Sequence, residues 1–418
     1  MLLCLPAVAE NQPANKHRMN QPLSSFAERL REFISSLVAA EVTRLIPENR
    51  KSEIGNRECS EPPHVGSYSE TFDSMALELF ALQFKHNAAY RKICEVRKLT
   101  PQVVRHWTQI PSVPTAAFKE LELTSLAPDE RIAVFHSSGT TEQKPSSHFH
   151  CAESLAVYEA SLWAWFEQNI FANSKFKIQH SKLLVLTPPP EQVPHSSLVH
   201  MFETVRQKLG AAESVFVGKL ASDGTWTLDF TAVVDALSPA RQTPDAKPLL
   251  LLGTAFSFVH LLDYLAENHL QFELPVDSRV METGGYKNRS RTMPKAELHA
   301  LITKHLGVTA ENIICEYGMS ELSSQAYDLK IQNSKFKIQN SERQFHFPPW
   351  ARVQIVSPET GREVGEGETG LIRIFDLANV FSVAAIQTED LGIRRGDGFE
   401  LIGRAQLAEP RGCSLMTV

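Results

Sequence analysis

Five short apolar runs recur from residue 131 onward, with helically spaced stretches between them: Ile132–Phe135, Leu183–Leu186, Leu249–Leu252, Val280–Met281 and Ile313–Ile314. A run of Leu, Val and Ile with no polar alternation has no face to give to water, so it suits a parallel strand covered on both sides. The pattern predicts an α/β fold with a parallel-rich sheet flanked by helices. Four of the runs lead into polar or glycine-bearing segments: His136 to Thr141, Gly253-Thr254, Glu282 to Gly285 and Glu316 to Glu321. Ligands of open α/β sheets gather beyond the carboxyl ends of the strands, so these four segments are expected to line one crevice.

The rest of the chain divides around that block. At 418 residues it exceeds one simple core and suggests several packed subdomains. Residues 1–21 read as a disordered leader. Met1 to Ala9 is apolar and ends in Ala-Val-Ala, but it lacks the basic start of a signal peptide, and Met19 is an alternative beginning. Residues 22–130 read as an N-terminal helical region. Ser25 to Glu28 suggests a capping box ahead of Phe26, Leu30, Phe33, Ile34, Leu37 and Val38, and a second amphipathic stretch runs from Phe72 to Val96. Residues 131–347 hold the α/β block, and 348–418 read as a β-rich subdomain with a C-terminal tail, punctuated by Gly365, Gly367, Gly370 and Gly392. A heptapeptide, Asn-Ser-Lys-Phe-Lys-Ile-Gln, occurs at 173–179 and again at 333–339. Too brief and too polar for a coiled coil, both copies read as inert surface insertions.

Charge and cysteine content exclude several classes. With 42 basic and 48 acidic side chains the net charge is −6, so no basic field invites nucleic acid. No segment reaches the roughly 18 apolar residues of a membrane span. The six cysteines are scattered without a CxxC pair, which favours reduced thiols in a cytoplasm over disulfides or a zinc site. His148 and His150 share a strand face and could ligate a metal, but without a third ligand at metal spacing they read as a satisfied pair.

Three segments carry chemistry. Ser137, Ser138, Gly139, Thr140 and Thr141, followed by Lys144, offer hydroxyls, freed backbone amides and one point charge to a polyphosphate. The spacing is not that of a Walker A loop, and such a cluster alone is often a bare turn; a strand before and a lysine after favour the phosphate loop. In the segment from Glu316 to Glu321, Gly318 permits a tight turn out of the strand and Tyr317 offers a flat face to a purine. Ser320 and Glu321 offer hard oxygen ligands to Mg²⁺. Alone, these would read as a core tyrosine and a helix cap. Thr388-Glu389-Asp390 and Gly403-Arg404 offer a carboxylate for ribose hydroxyls with an arginine nearby, although an acidic β-turn is the commoner meaning.

Together and in this order, the segments resemble the adenylate-forming superfamily, and within it the acyl-protein synthetase (LuxE) family, the component of bacterial fatty-acid reductase that supplies aldehyde for bioluminescence. Ile110 to Pro114, Phe118-Lys119, Glu282 to Lys287 with Arg289 and Arg291, and Arg411 to Leu415 extend the likeness over roughly residues 70–415. The resemblance implies the large-domain fold of adenylate-forming enzymes, with residues 131–347 binding nucleotide and acyl group. It implies ATP held by Ser137, Ser138, Gly139, Thr140, Thr141 and Lys144, adenine on Tyr317, Mg²⁺ on Glu321, and ribose on Asp390 and Arg404. It also implies that Cys413 receives the acyl group, whereas by chemistry alone one cysteine beside Arg411 is more often idle.

The activity implied by the resemblance is ATP-dependent conversion of a carboxylic acid, fatty acids foremost, to acyl-AMP, and transfer to a protein thiol that an acyl-reductase partner could collect. Two departures stand out: Glu142 replaces a glycine common in relatives, and only 14 residues follow Arg404, so the small C-terminal lid domain of acyl-CoA ligases is expected to be absent. A CoA ligase of the phenylacetate–CoA type and a catalytically silent nucleotide-binding homologue remain the alternatives.

Overall fold

Apolar residues three and four apart near the start of the chain form the buried stripe of a long helix, α1 (Gln21–Leu45), in which Phe26, Leu30 and Ile34 are buried. The computed structural model describes residues 20–45, 65–137, 144–171, 182–210, 214–238, 247–285, 290–330 and 343–405. The leader through residue 19, both heptapeptide copies, residues 138–143 and the tail from 406 lie outside the described residues. Because α1 begins at Gln21, Ser25 lies inside it, and the expected capping box is not the helix start.

The second amphipathic stretch is two helices, α2 (Val65–His86) and α3 (Ala88–Val96). Asn87 divides them: its backbone is extended and its side chain accepts from the Tyr90 amide at 3.0 Å, capping α3. Next come β1 (Val113–Pro114), α4 (Ala117–Glu120), β2 (Ala133–His136), β3 (Ser147–His150) and α5 (Ala152–Ile170).

The α/β block proper comes next. It consists of β4 (Lys182–Val185), α6 (Ser197–Leu209), β5 (Ser214–Phe216), β6 (Gly218–Leu220), β7 (Trp226–Leu228), α7 (Phe230–Leu237) and β8 (Leu249–Thr254), then α8 (Ala255–Glu267), β9 (Arg279–Thr283), α9 (Lys295–Leu306) and β10 (Ile313–Tyr317). Strands β5, β4, β8, β9 and β10 lie side by side in that order, all parallel. Consecutive residues of one strand enter different cores. Leu250 and Leu252 pack with Phe202 and Val205 of α6, whereas Leu249 and Leu251 pack with α7, α8 and α9. That two-sided cover is why four of the five apolar runs carry no polar alternation.

The fifth run is different. Strand β2 pairs antiparallel with β3 in a separate two-stranded sheet, with His136 opposite Ser147, and Ile132 is 64% exposed. Four apolar residues fit a hairpin stem as well as a buried strand, and here the candidate phosphate segment starts after a strand that stands outside the parallel sheet. A second expected loop is also missing, because Thr254 ends β8 and its hydroxyl caps α8 directly, accepting from the Ser257 amide.

Beyond β10 the sheet turns antiparallel through β11 (Ala326–Lys330), β12 (Arg343–His346), β16 (Gly398–Arg404), β15 (Ala385–Arg395), β14 (Thr369–Asp376) and β13 (Ala351–Val356), with β1 alongside β15. One 12-stranded sheet therefore joins the parallel block to the C-terminal strands. Among the described residues no helix is long and apolar enough to cross a membrane.

Candidate active site

Strand β10 ends at Tyr317, and β15 carries Asp390 to the same place: the Tyr317 hydroxyl donates to Asp390 Oδ2 at 2.8 Å. Arg404 lies opposite Asp390 in the β15–β16 register, with Nε 3.7 Å from Oδ1. Two of the sequence segments thus meet as one constellation. Burial raises the Asp390 carboxyl above its usual range, against the Tyr317 hydrogen bond and the Arg404 charge, which pull it down. Arg404 is 81% exposed, so solvent screens most of its pull. The Tyr317 ring stands edge-on among Phe345, Phe347 and Phe399 and is only 7% exposed. Burial first, and then the Asp390 charge, push its hydroxyl pKa well up, so it stays a donor.

Gly318 leaves room for the Glu316 side chain. It has no positive φ, and a Cβ there would collide with the Glu316 carboxylate oxygen. The Glu316 carboxylate is itself buried and accepts from the Thr283 hydroxyl on neighbouring β9. Burial lifts its pKa to about 7, with the Thr283 bond opposing and the Glu282 charge adding to the rise. The sequence motifs give Glu316 no functional role of its own, although a carboxylate interrupting a buried apolar run is itself a signal.

Ser320 and Glu321 follow in an irregular segment against the hairpin. The Ser320 hydroxyl donates to Glu321 Oε2 at 3.0 Å and lies 3.4 Å from the Ser146 hydroxyl. His148 Nδ1 meets the Ser320 carbonyl at 2.9 Å. At the base of the hairpin the Ser146 amide donates to the Ser137 hydroxyl oxygen at 3.0 Å. Ser146 therefore bridges Ser137, the first residue of the candidate phosphate loop, to the candidate metal segment. Lys144 is exposed, while Ser138, Gly139, Thr140, Thr141 and Cys413 lie outside the described residues.

His148 and His150 pack with ring centroids 4.3 Å apart, and burial lowers the pKa of both, that of His148 to about 4. Among the described residues no group of three His, Cys, Asp or Glu could hold a metal ion by itself. Mg²⁺ commonly takes one or two carboxylates and completes its shell from substrate phosphates and water, and Glu321 with Ser320 fits that habit.

A 2-hydroxyisobutyryl-CoA ligase solved with its acyl-AMP superposes with a TM-score of 0.59 at 12% identity, over 84% of this chain and 73% of that one. The fold is that of the adenylate-forming enzymes. An ATP-bound MatB from Rhodopseudomonas palustris matches at 17% identity and a TM-score of 0.43 over 67% of this chain, which spans about half (49%) of that protein. In sequence, a long-chain-fatty-acid–luciferin-component ligase of Aliivibrio fischeri is 23% identical over 368 residues, 83% of this chain and 87% of that protein. The acyl-protein synthetase (LuxE) family matches residues 52–417, and the chain belongs to that family.

Proposed function

We propose that this enzyme activates a carboxylic acid, fatty acids foremost, with ATP and passes the acyl group to a protein thiol. The observation that carries the proposal is the meeting of Tyr317 with Asp390, 73 residues apart, beside Arg404 and within a LuxE-family chain. Asp390 accepts from the ribose hydroxyls and Arg404 adds a cation at the same edge. Tyr317 lines the adenine position, and Gly318 keeps the turn beside it clear. Ser137, Ser138, Gly139, Thr140, Thr141 and Lys144 surround the phosphates. Glu321, with Ser320, holds Mg²⁺, whose charge offsets that of the phosphates.

In the first half-reaction a substrate carboxylate oxygen attacks the α-phosphorus and pyrophosphate leaves. The protein's part is positioning and charge neutralisation, Lys144 included. In the second, the Cys413 thiolate attacks the acyl carbonyl and AMP leaves, giving a thioester that an acyl-reductase partner collects. The reaction is placed in a reducing cytoplasm, as the scattered cysteines of the sequence suggest.

Pyrophosphate exchange into ATP, measured with Mg²⁺ and a panel of aliphatic and aromatic acids, tests the first half. Exchange dependent on one class of acid is expected, and ATP binding without exchange for any acid defeats the reading. For the second half, Cys413→Ser is expected to keep exchange but lose the protein-bound acyl group that neutral hydroxylamine releases. Wild-type protein that makes acyl-AMP without ever carrying such a group removes Cys413 from the mechanism.

A further inference from the structure

Glu321 lies in a segment without regular structure between β10 and β11, so neither helix nor ladder sets its place. The Glu321 carbonyl is held from the loop joining β14 to β15, while His148 of β3 holds the carbonyl of Ser320 just before it and Ser161 of α5 meets the Ser324 hydroxyl three residues on. Asn379 Nδ2 donates to the Glu321 carbonyl at 2.9 Å and to the Val383 carbonyl at 3.0 Å. Asp376 accepts from the Ser323 amide at 2.9 Å, from the Ser324 hydroxyl at 2.7 Å and from the Ala378 amide at 3.0 Å. The last residue of β14 and the loop after it therefore grip the candidate metal segment at Glu321 and again two and three residues later.

The loop is locked in turn from α2, nearly 300 residues earlier. Gln83 Nε2 donates to the Asn379 carbonyl at 2.8 Å and the Val380 carbonyl at 3.2 Å, and its Oε1 accepts from the Ala384 amide at 3.1 Å. Asn87 Nδ2 reaches the Ser382 carbonyl at 3.3 Å. All four side chains are buried, and Asp376 has no ion pair among the described residues. Burying a carboxylate without a cation and three amides is unfavourable wherever a bond is missing, as at Asn379 Oδ1, which is buried with no partner among the described residues, and leucines would fill the volume without that demand. What polar groups add is direction: these bonds end on backbone atoms of the loop or of the Glu321 segment, or on the Ser324 hydroxyl.

We propose that Asn379 and Asp376 are positioning residues that set where the Glu321 carboxylate meets the metal-bound nucleotide, and that Gln83 of α2 holds them in register. The proposal rests on Glu321 serving Mg²⁺. It gives the N-terminal helices, which carry no catalytic motif of their own, a part in the reaction.

The test is pyrophosphate exchange measured against Mg²⁺ concentration, with Glu321→Gln as the reference. Glu321→Gln is expected to raise half-saturating Mg²⁺ by about tenfold or more, the worth of one charge-assisted contact. Asn379→Ala is expected to raise it by about tenfold while the KM for the acid stays within about twofold, and Asn379→Ser, which restores a donor, recovers part of the shift. Gln83→Ala, one bond further away, gives a shift of about threefold in the same direction and carries the test if Asn379→Ala does not fold. A folded Asn379→Ala or Gln83→Ala enzyme with wild-type Mg²⁺ dependence, beside a shifted Glu321→Gln, overturns the positioning role and leaves Glu321 in place. An unshifted Glu321→Gln removes the metal role of Glu321, and the proposal with it.

Discussion

Strand β8 buries Leu249, Leu250, Leu251 and Leu252 under helices on both faces, whereas the end of β14 and the loop to β15 bury Asp376, Asn379 and Ser382. Both regions belong to the core, yet they are stabilised by different physics. The leucines gain from apolar area removed from water, and no single contact is indispensable. The polar loop gains little net from each hydrogen bond but loses heavily if one partner is deleted, because the other stays buried and unpaired. The candidate metal segment is held by the polar region, where position matters more than area.

The largest expected effect lies in the apolar strand. Leu251→Ala should lower unfolding free energy by about 2–5 kcal/mol, read from urea or thermal melts, through lost transfer energy and a cavity. The folded fraction should bind ATP as the parent does. A loss of less than about 1 kcal/mol would mean that the parallel block tolerates a cavity it has no evident means to close.

Asp390→Ala should reverse the pattern, with a modest change in melting and a marked one in nucleotide affinity. Each charge-assisted bond lost is worth about 1.5–3 kcal/mol, so the ATP dissociation constant should rise by about ten- to a hundredfold by calorimetry. An unchanged constant in a folded variant removes Asp390 from the nucleotide site.

A third test sharpens the contrast through pH. Burial raises Glu316 from 4.5 to about 7, so between those values the folded state binds the extra proton. Stability from this group is complete below about pH 4.5 and is lost as pH rises through about 7, with a slope of at most about 1.4 kcal/mol per pH unit. Glu316→Gln should flatten that stretch of the stability–pH curve, and a slope identical in both proteins would show that Glu316 is ionised throughout.

Four of the five apolar runs are legible as parallel strands because Leu, Val and Ile without alternation leave a strand no alternative to burial on both faces. The run Ile132–Phe135 is not, since a strand of four residues in a hairpin carries the same composition. Tyr317, Asp390 and Arg404 are legible as separate pieces, and only the register of β15 with β16 and the reach of β10 bring them together. Gln83 is invisible in the sequence. A glutamine on an amphipathic helix looks like a solvent contact, and its partners, Asn379 and Ala384, have no local pattern that points back to it. Gly318 stands out in the sequence as a turn residue, whereas its place is set by the Glu316 carboxylate, two residues back, which needs the empty space.

The bonds from Gln83 to residues 379–384 also set an order of events in the making of the protein. Synthesis runs from the N-terminus at about 5–20 residues per second, so α2 has left the ribosome some tens of seconds at the slow end before its partners exist. The parallel strands can pair in the meantime, since β4 through β10 are complete by residue 317. The loop that steadies Glu321 cannot form until the strands on either side of it, β14 and β15, have been made. The nascent chain can therefore pair its parallel strands before the Glu321 segment has the partners that hold it, and the candidate site is completed last.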